Sequence, residues 1–292
     1  MAPAARKGEK VATGGAHMQT IVVTGASSGI GAATVRLLLG QGYRVLGTVR
    51  SAPGAVSEPH FHPIRLDMED SASIDTALER IVALLDGQPL AGLVNNAGIG
   101  IPAPVAEQSM EEFRAHFQVN VIGLHQLTRG LLPALGVDRP GKAGKGRIVN
   151  ISSVSGRLAL PFTAAYTASK FALEGYSQAL RRELYATGID VIVVAPGMVR
   201  TPIWDKAGNA LAGYQQSPSR GPLAKLVEMM SEKAKTADTP ETIAGHVLKM
   251  LTMRRPPARH AVVAKRFVNE TLPRMLPQRL VDRMLAKQLG LK

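Results

Sequence analysis

The sequence predicts a single doubly wound α/β domain, with a parallel sheet of seven strands, helices on both faces and a helical C-terminal extension. Three observations carry this expectation. Short β-branched runs alternate with segments of helical periodicity along most of the chain. The Gly-, Asn-, Ser- and Pro-rich breaks fall at the ends of those runs. No internal repeat and no apolar window of about 18 residues interrupts the pattern. Strands joined through helices demand right-handed crossovers and a sheet covered on both faces.

The elements follow in order. Thr20 to Val23 is a short buried strand that runs into a glycine-rich turn. Ala32 to Leu39 reads as a helix stopped by Gly40 and Gly42. Tyr43 to Val49 and Phe61 to Leu66 are the next strands. Ser71 to Leu85 places Ile74, Leu78, Ile81, Leu84 and Leu85 at helical spacing. Leu90 to Val94 is a strand, and Met110 to Leu135 a long helix. A Gly/Lys/Pro loop, Gly136 to Gly146, leads to the strand Arg147 to Ile151. A second long helix, Ala164 to Thr187, precedes the strand Ile189 to Val194. His260 to Ala264 closes the sheet. The expected domain spans residues 18–266, with a disordered leader over 1–17 and a helical tail over 267–292.

Composition narrows the chemistry. The 292 residues include no cysteine, which excludes disulfides, thiolate metal sites and cysteine nucleophiles and suits a reducing, cytoplasmic setting. Seven histidines fall in no metal-binding pair on a helix, so no metal is expected. The formal charge of +13 is concentrated in the two ends. From Arg254 onward ten cations face only Glu270 and Asp282. A basic chain attracts nucleic acid, anionic lipid or a phosphorylated ligand. No helix-turn-helix, RNA-stacking motif or zinc site supports nucleic acid, so none is expected. The tail's apolar faces suit packing on its own domain or a second copy better than a membrane surface.

Two constellations carry chemistry. Gly25, Gly29 and Gly31, with Ser27, Ser28 and Ile30 between them, separate the first strand from the first helix. Glycine permits positive φ and lets the backbone approach a pyrophosphate, which the helix N-terminus then receives. The spacing is G-x-x-x-G-x-G, not G-x-G-x-x-G, so the turn alone reads as a nucleotide loop or a plain strand–helix turn. Tyr166 and Lys170 lie four apart on one predicted helical face. Alone they read equally as a solvated pair. Ser153, at a strand end, and Asn120, in the preceding long helix, stand with them.

Five ordered segments identify the chain as a member of the short-chain dehydrogenase/reductase family, resembling its hydroxysteroid and retinol dehydrogenase branch. They are Thr24 to Gly31, Asn95-Asn96-Ala97-Gly98, Asn120 to Gly123, Tyr166 to Lys170, and Pro196-Gly197. The resemblance implies a Rossmann-type domain and a nicotinamide-dependent oxidoreductase of a carbonyl or alcohol. It implies Tyr166 as acid/base, Lys170 on the cofactor ribose, Ser153 on the carbonyl and Asn120 in a proton relay. A tyrosine with an ordinary pKa of about 10 must be lowered by roughly 3 units, which Lys170 and a positive nicotinamide would supply. Asp67 and the Met68 backbone would meet adenine, with Asp67 as a mere helix cap the plainer reading. Asn95, Ala97 and Gly98 would line the ribose, and Pro196, Gly197, Val199 and Thr201 the carboxamide. Residues 202–240, with Trp204 and Tyr214, would form a lid over an apolar substrate. Homodimers or homotetramers are implied, through the two long helices, on which Leu124, Leu127, Phe171 and Leu180 offer apolar surface. A 3-oxoacyl thioester reductase and a non-catalytic NADP sensor are the alternatives.

Cofactor choice rests on the second strand. NAD-binding sheets place an acid about 20 residues past the glycine loop, on the ribose 2′-OH. Here Val49 stands in that place and Arg50 follows, so NADP(H) is expected ahead of NAD(H).

Overall fold

β-Branched and aliphatic alternation places all seven predicted strands in one parallel sheet, ordered β3-β2-β1-β4-β5-β6-β7. The computed structural model describes residues 18–51, 58–139, 145–201 and 211–291. The expected leader and Trp204 lie outside them. The strands are β1 (Thr20–Val23), β2 (Arg44–Val49), β3 (Phe61–Arg65), β4 (Leu90–Asn95), β5 (Arg147–Ile151), β6 (Asp190–Pro196) and β7 (Arg259–Val262). The helices are α1 (Gly29–Gly40), α2 (Ser71–Leu85), α3 (Met110–Phe117), α4 (Gly123–Leu135), α5 (Ala164–Glu183), α6 (Arg220–Lys235), α7 (Pro240–Thr252), α8 (Leu272–Met275) and α9 (Gln278–Leu289). The chain steps outward from β1 to β3, then returns beside β1 as β4. Ligands bind at such a reversal, outside the strand C-termini.

Successive strand residues feed opposite cores. Ile21 and Val23 join Val35, Leu38, Ile243 and Val247 from α1 and α7 on one face. Val22 joins Ile74 and Ile81 of α2, Leu124 and Leu127 of α4, and Leu173 of α5 on the other. All are at most 6% exposed, so each contributes about 1.5–3 kcal/mol of burial. Leu124, Leu127 and Leu180 therefore do not form the apolar pairing surface expected of the long helices. Their own core consumes them, and Phe171 alone of that set stays exposed.

Several boundaries differ from expectation, and α1 already starts at Gly29. The first long helix is broken by a π-helical turn, Gln118–Ile122, which carries Asn120. The second ends at Glu183 and tightens into a 3-10 turn, Leu184–Ala186. β7 is Arg259–Val262, and Lys265 just beyond it takes a left-handed turn with φ 47°.

The C-terminal tail is anchored by charge. Arg259 Nε donates to both carboxylate oxygens of Glu174, at 3.0 and 2.9 Å. Its Nη1 donates to Glu270, which also accepts from Arg266 at 3.1 Å. Arg157 pairs with Glu174 at 3.3 Å. Burial pushes the Glu270 carboxyl up, but the hydrogen bonds and charges of Arg259 and Arg266 leave it below its ordinary value. Leu289 of α9 is fully buried, and α9 packs on α6. Part of the basic excess is thus internal structure. Arg259→Met removes the cation the two carboxylates share and leaves each with a single, more exposed partner, Arg157 or Arg266, so the expected loss is about 3 kcal/mol. Urea unfolding with an unchanged slope and a lowered midpoint checks this.

Candidate active site

The glycine loop and the β4 turn are knotted together. Thr24 Oγ1 accepts from the Asn96 and Ala97 amides, both at 2.9 Å. Asn96 Nδ2 donates back to the carbonyls of Thr24 and Gly25, at 2.9 and 3.2 Å. Gly25 and Gly29 hold φ of 68° and 54°, a region where other L-residues are strained. A Cβ on Gly31 would lie 2.0 Å from the Gly25 carbonyl oxygen and 2.6 Å from Asn96 Nδ2. Gly31 therefore permits α1 to start directly beneath the loop. Helices α2, α3 and α7 are capped by Asp70, Ser109 and Thr239. The α1 N-cap, Ser28, makes no side-chain cap bond, and no acid occupies the first turn. That end of the helix suits an anion.

One cleft of about 400 Å³ runs along the strand C-termini. It gathers Gly25, Ser27, Ser28, Gly29 and Ile30 from the loop, Arg50 after β2, and Asp67 and Met68 after β3. Ala97 and Gly98 come from the β4 turn, Ser153 from the end of β5, and Tyr166 and Lys170 from α5. Pro196, Gly197, Val199 and Thr201 close it from β6. Arg50 is exposed and Asp67 half-buried. Asp67 is not the helix cap. Its Oδ1 accepts from the Glu69 amide at 3.0 Å, while Asp70 caps α2.

Three expected site residues do not line this cleft: Gly31, Asn95 and Asn120. Asn95 is the last residue of β4 and is buried against its neighbours. Its Nδ2 donates to Thr128 Oγ1 at 3.0 Å and Asn150 Oδ1 at 2.9 Å. Asn96, one residue on, is the pair member that reaches the cleft. Strand alternation explains this, because adjacent residues point to opposite sides. Asn120 Oδ1 accepts from the Ile99 amide, and its Nδ2 donates to the Ile99 carbonyl and Ser169 Oγ, each at 2.9 Å. Ser169 in turn donates to the Tyr166 carbonyl at 2.7 Å.

Tyr166 and Ser153 line the cleft together, and Ser153 Oγ accepts from the Ser155 amide at 3.1 Å. Lys170 Nζ stands 5.9 Å from the Tyr166 ring centre and donates to the Ile151 carbonyl at 2.9 Å. Burial pulls the Lys170 ammonium down to about 8, against an opposing pull from the Glu174 carboxylate. Burial also raises the Tyr166 phenol above its ordinary value, and the Ser153 hydroxyl offsets this only in part. The expected lowering of Tyr166 by Lys170 is thus absent from the protein's own groups. Desolvation is the larger cause and the Ser153 contribution the smaller. Gly100 completes the wall, since a Cβ there would fall 2.9 Å from the Tyr166 ring.

Residues not foreseen include Thr48, Leu160 and Met198, all in the cleft lining, and Met230 of the expected lid lines it too. Met230 comes from α6, whose Leu223 and Leu226 are fully buried. The helical spacing of these apolar positions marked the segment, yet no sequence signal separates those packed inward from the one facing the cleft.

The sequence model of the short chain dehydrogenases matches residues 19–212. This chain belongs to that family. It is an oxidoreductase that acts between carbonyl and alcohol groups and uses a nicotinamide cofactor. An NADPH-dependent 3-dehydrocapnine reductase from Ornithobacterium rhinotracheale is 33% identical over 277 residues, covering 93% of this chain and 98% of the relative. A short-chain dehydrogenase from Streptomyces avermitilis superposes with a TM-score of 0.74 at 28% identity, covering 92% of this chain and 95% of that one. A Burkholderia cenocepacia short-chain dehydrogenase in complex with NADP gives 0.69 at 25% identity, covering 92% and 98%. The cradle fits a dinucleotide on this chain's own geometry. The glycine turn is open at the uncapped start of α1, and the cleft continues unbroken from Arg50 to Tyr166.

Proposed function

We propose that the chain is an NADP-dependent reductase of an uncharged, apolar carbonyl compound, with Tyr166 as the proton donor. The observation that carries the reading is the meeting of Ser153, Tyr166 and Lys170 at one end of a cleft whose other end presents Arg50. The glycine loop, the α1 N-terminus and Arg50 would hold the dinucleotide, with Asp67 and Met68 at the adenine. Ala97 and Gly98 would lie along its ribose, and the Pro196–Thr201 segment at its nicotinamide. Bound there, the nicotinamide supplies the hydride. Ser153 and Tyr166 aim their hydroxyls at one substrate oxygen, and Tyr166 delivers the proton as charge develops on it. Lys170 stabilises the phenolate that remains, and Asn120 holds Ile99 and Ser169 on either side of the tyrosine. Lining from the segments nearest this end, Ile101, Pro102, Val154 and Leu160, carries no charge. A charged substrate would be desolvated there without a partner.

Tyr166→Phe keeps the ring and removes the donor. Turnover is expected to fall by more than about tenfold, a loss above roughly 1.4 kcal/mol, with NADPH affinity nearly intact. Stopped-flow turnover and fluorescence titration check both. The reaction is assayed on steroids, retinoids, medium-chain ketones and acyl thioesters, and a preference for thioesters would move the reading to a 3-oxoacyl reductase. Arg50 offers a forked cation to a 2′-phosphate, and a hydrogen bond to a charged group contributes about 1.5–3 kcal/mol. NADPH is therefore expected to exceed NADH in kcat/KM by at least about tenfold. Val49→Asp with Arg50→Ala reverses that order, and equal efficiencies in the unmutated enzyme contradict it. Ile122 and Phe171 expose apolar surface at the start of α4 and on α5, which supports self-association through those helices. Sedimentation at micromolar concentration is expected to show a dimer or tetramer, and a monomer would refute it.

A further inference from the structure

We infer that His116 is a positioning residue for the reaction, acting as a clip that holds the pocket wall at Gly100–Ile101 against Tyr166. This rests on the reading of Tyr166 given above.

His116 lies on α3, outside the recognised motifs but one turn before the Asn120–Gly123 segment, and is 1% exposed. Its ring makes two hydrogen bonds. Nδ1 lies 2.7 Å from the Glu112 carbonyl oxygen, one turn back. Nε2 lies 3.1 Å from the Ile101 amide nitrogen. A carbonyl only accepts and an amide N–H only donates, so one arrangement satisfies both: Nδ1 carries the proton and Nε2 is bare. A proton on Nε2 would set two N–H groups against each other in a buried place, which is costly.

One turn further along the same helical run, Asn120 holds both polar groups of Ile99. Ile99 and Ile101 are therefore fixed from one element, by two side chains four residues apart. Gly100 lies between them, pressed so near Tyr166 that a methyl group there would meet the ring at 2.9 Å. Two residues on, the Ala103 amide donates to the Phe162 carbonyl at 2.8 Å and closes the segment. Ile101 also lines the cleft. Release of the Ile101 amide thus loosens the contact that sets the tyrosine ring and the substrate wall together. The glycine loop, the α1 N-terminus and Arg50, which would hold the phosphates, lie outside this segment.

His116→Phe keeps the ring volume and removes the acceptor, while His116→Gln restores an acceptor near the Nε2 position. The clip predicts that His116→Phe speeds amide exchange in peptides spanning 99–103, with other core peptides unchanged and NADPH affinity held within about twofold. Small misplacements at a reacting centre cost up to about 100-fold. So kcat/KM for a 2-alkanone series falls about 10- to 100-fold, and His116→Gln recovers most of it. Exchange that rises across the whole core, or not at all in 99–103, overturns the clip in favour of a plain packing role. If the unmutated protein reduces no carbonyl, the reading of the reaction fails, while the exchange result still decides the clip. Should His116→Phe not fold, ring-nitrogen NMR of the unmutated protein decides: a bare Nε2 coupled to the Ile101 amide is required, and a protonated Nε2 refutes it.

Discussion

The bond set between Thr24 and Asn96 is the constraint on which the rest of the site depends. The sheet reverses between β1 and β4, so two loops 72 residues apart in the chain leave adjacent strands side by side. Left alone, each would carry unpaired backbone groups at the mouth of a crevice. Thr24 and Asn96 pair those groups with one another. The glycine loop is thereby held in its left-handed turn, and α1 starts close beneath it. The β4 turn is held at the same time, and residues 97–101 continue from it into the wall around Tyr166. Cradle and reaction centre are thus parts of one hydrogen-bonded unit.

Electrostatics at the reaction end run against the resting protein. Burial raises the Tyr166 phenol and lowers the Lys170 ammonium to about 8. Both shifts favour the neutral forms, as desolvation does for an acid and a base alike. Tyr166 rests as a neutral phenol, while Lys170, at about 8, still carries most of its charge near neutral pH. A positive ring brought into the cleft would favour the phenolate, coupling proton transfer to occupancy of the cofactor cradle.

Part of the basic character of the chain serves the fold itself. Arg259, Arg266 and Arg157 are spent on Glu174 and Glu270, where they bind the tail to α5 one turn beyond Lys170. One guanidinium nitrogen of Arg259 is buried without a partner among the described residues. The helix that carries the tyrosine is therefore supported by charge from the last fifth of the chain. No described helix is long and apolar enough to cross a membrane.

Much of this was legible in order along the chain. Strand and helix runs follow from local periodicity, and the glycines of the loop from the left-handed turn only they tolerate cheaply. Tyr166 and Lys170 share a face because helical spacing requires it. Val49 and Arg50 stand at a strand end whatever the fold does elsewhere. What the sequence could not decide were facts of distance. Which of two adjacent asparagines faces the cleft depended on strand register. Whether Tyr166 is raised or lowered depended on how deeply the fold buries it. Leu124, Leu127 and Leu180 read as a pairing surface until the sheet claimed them. Glu174 with Glu270, and His116 with Ile101, have no local signature, because each pair is made by segments that only the tertiary fold brings within a hydrogen bond.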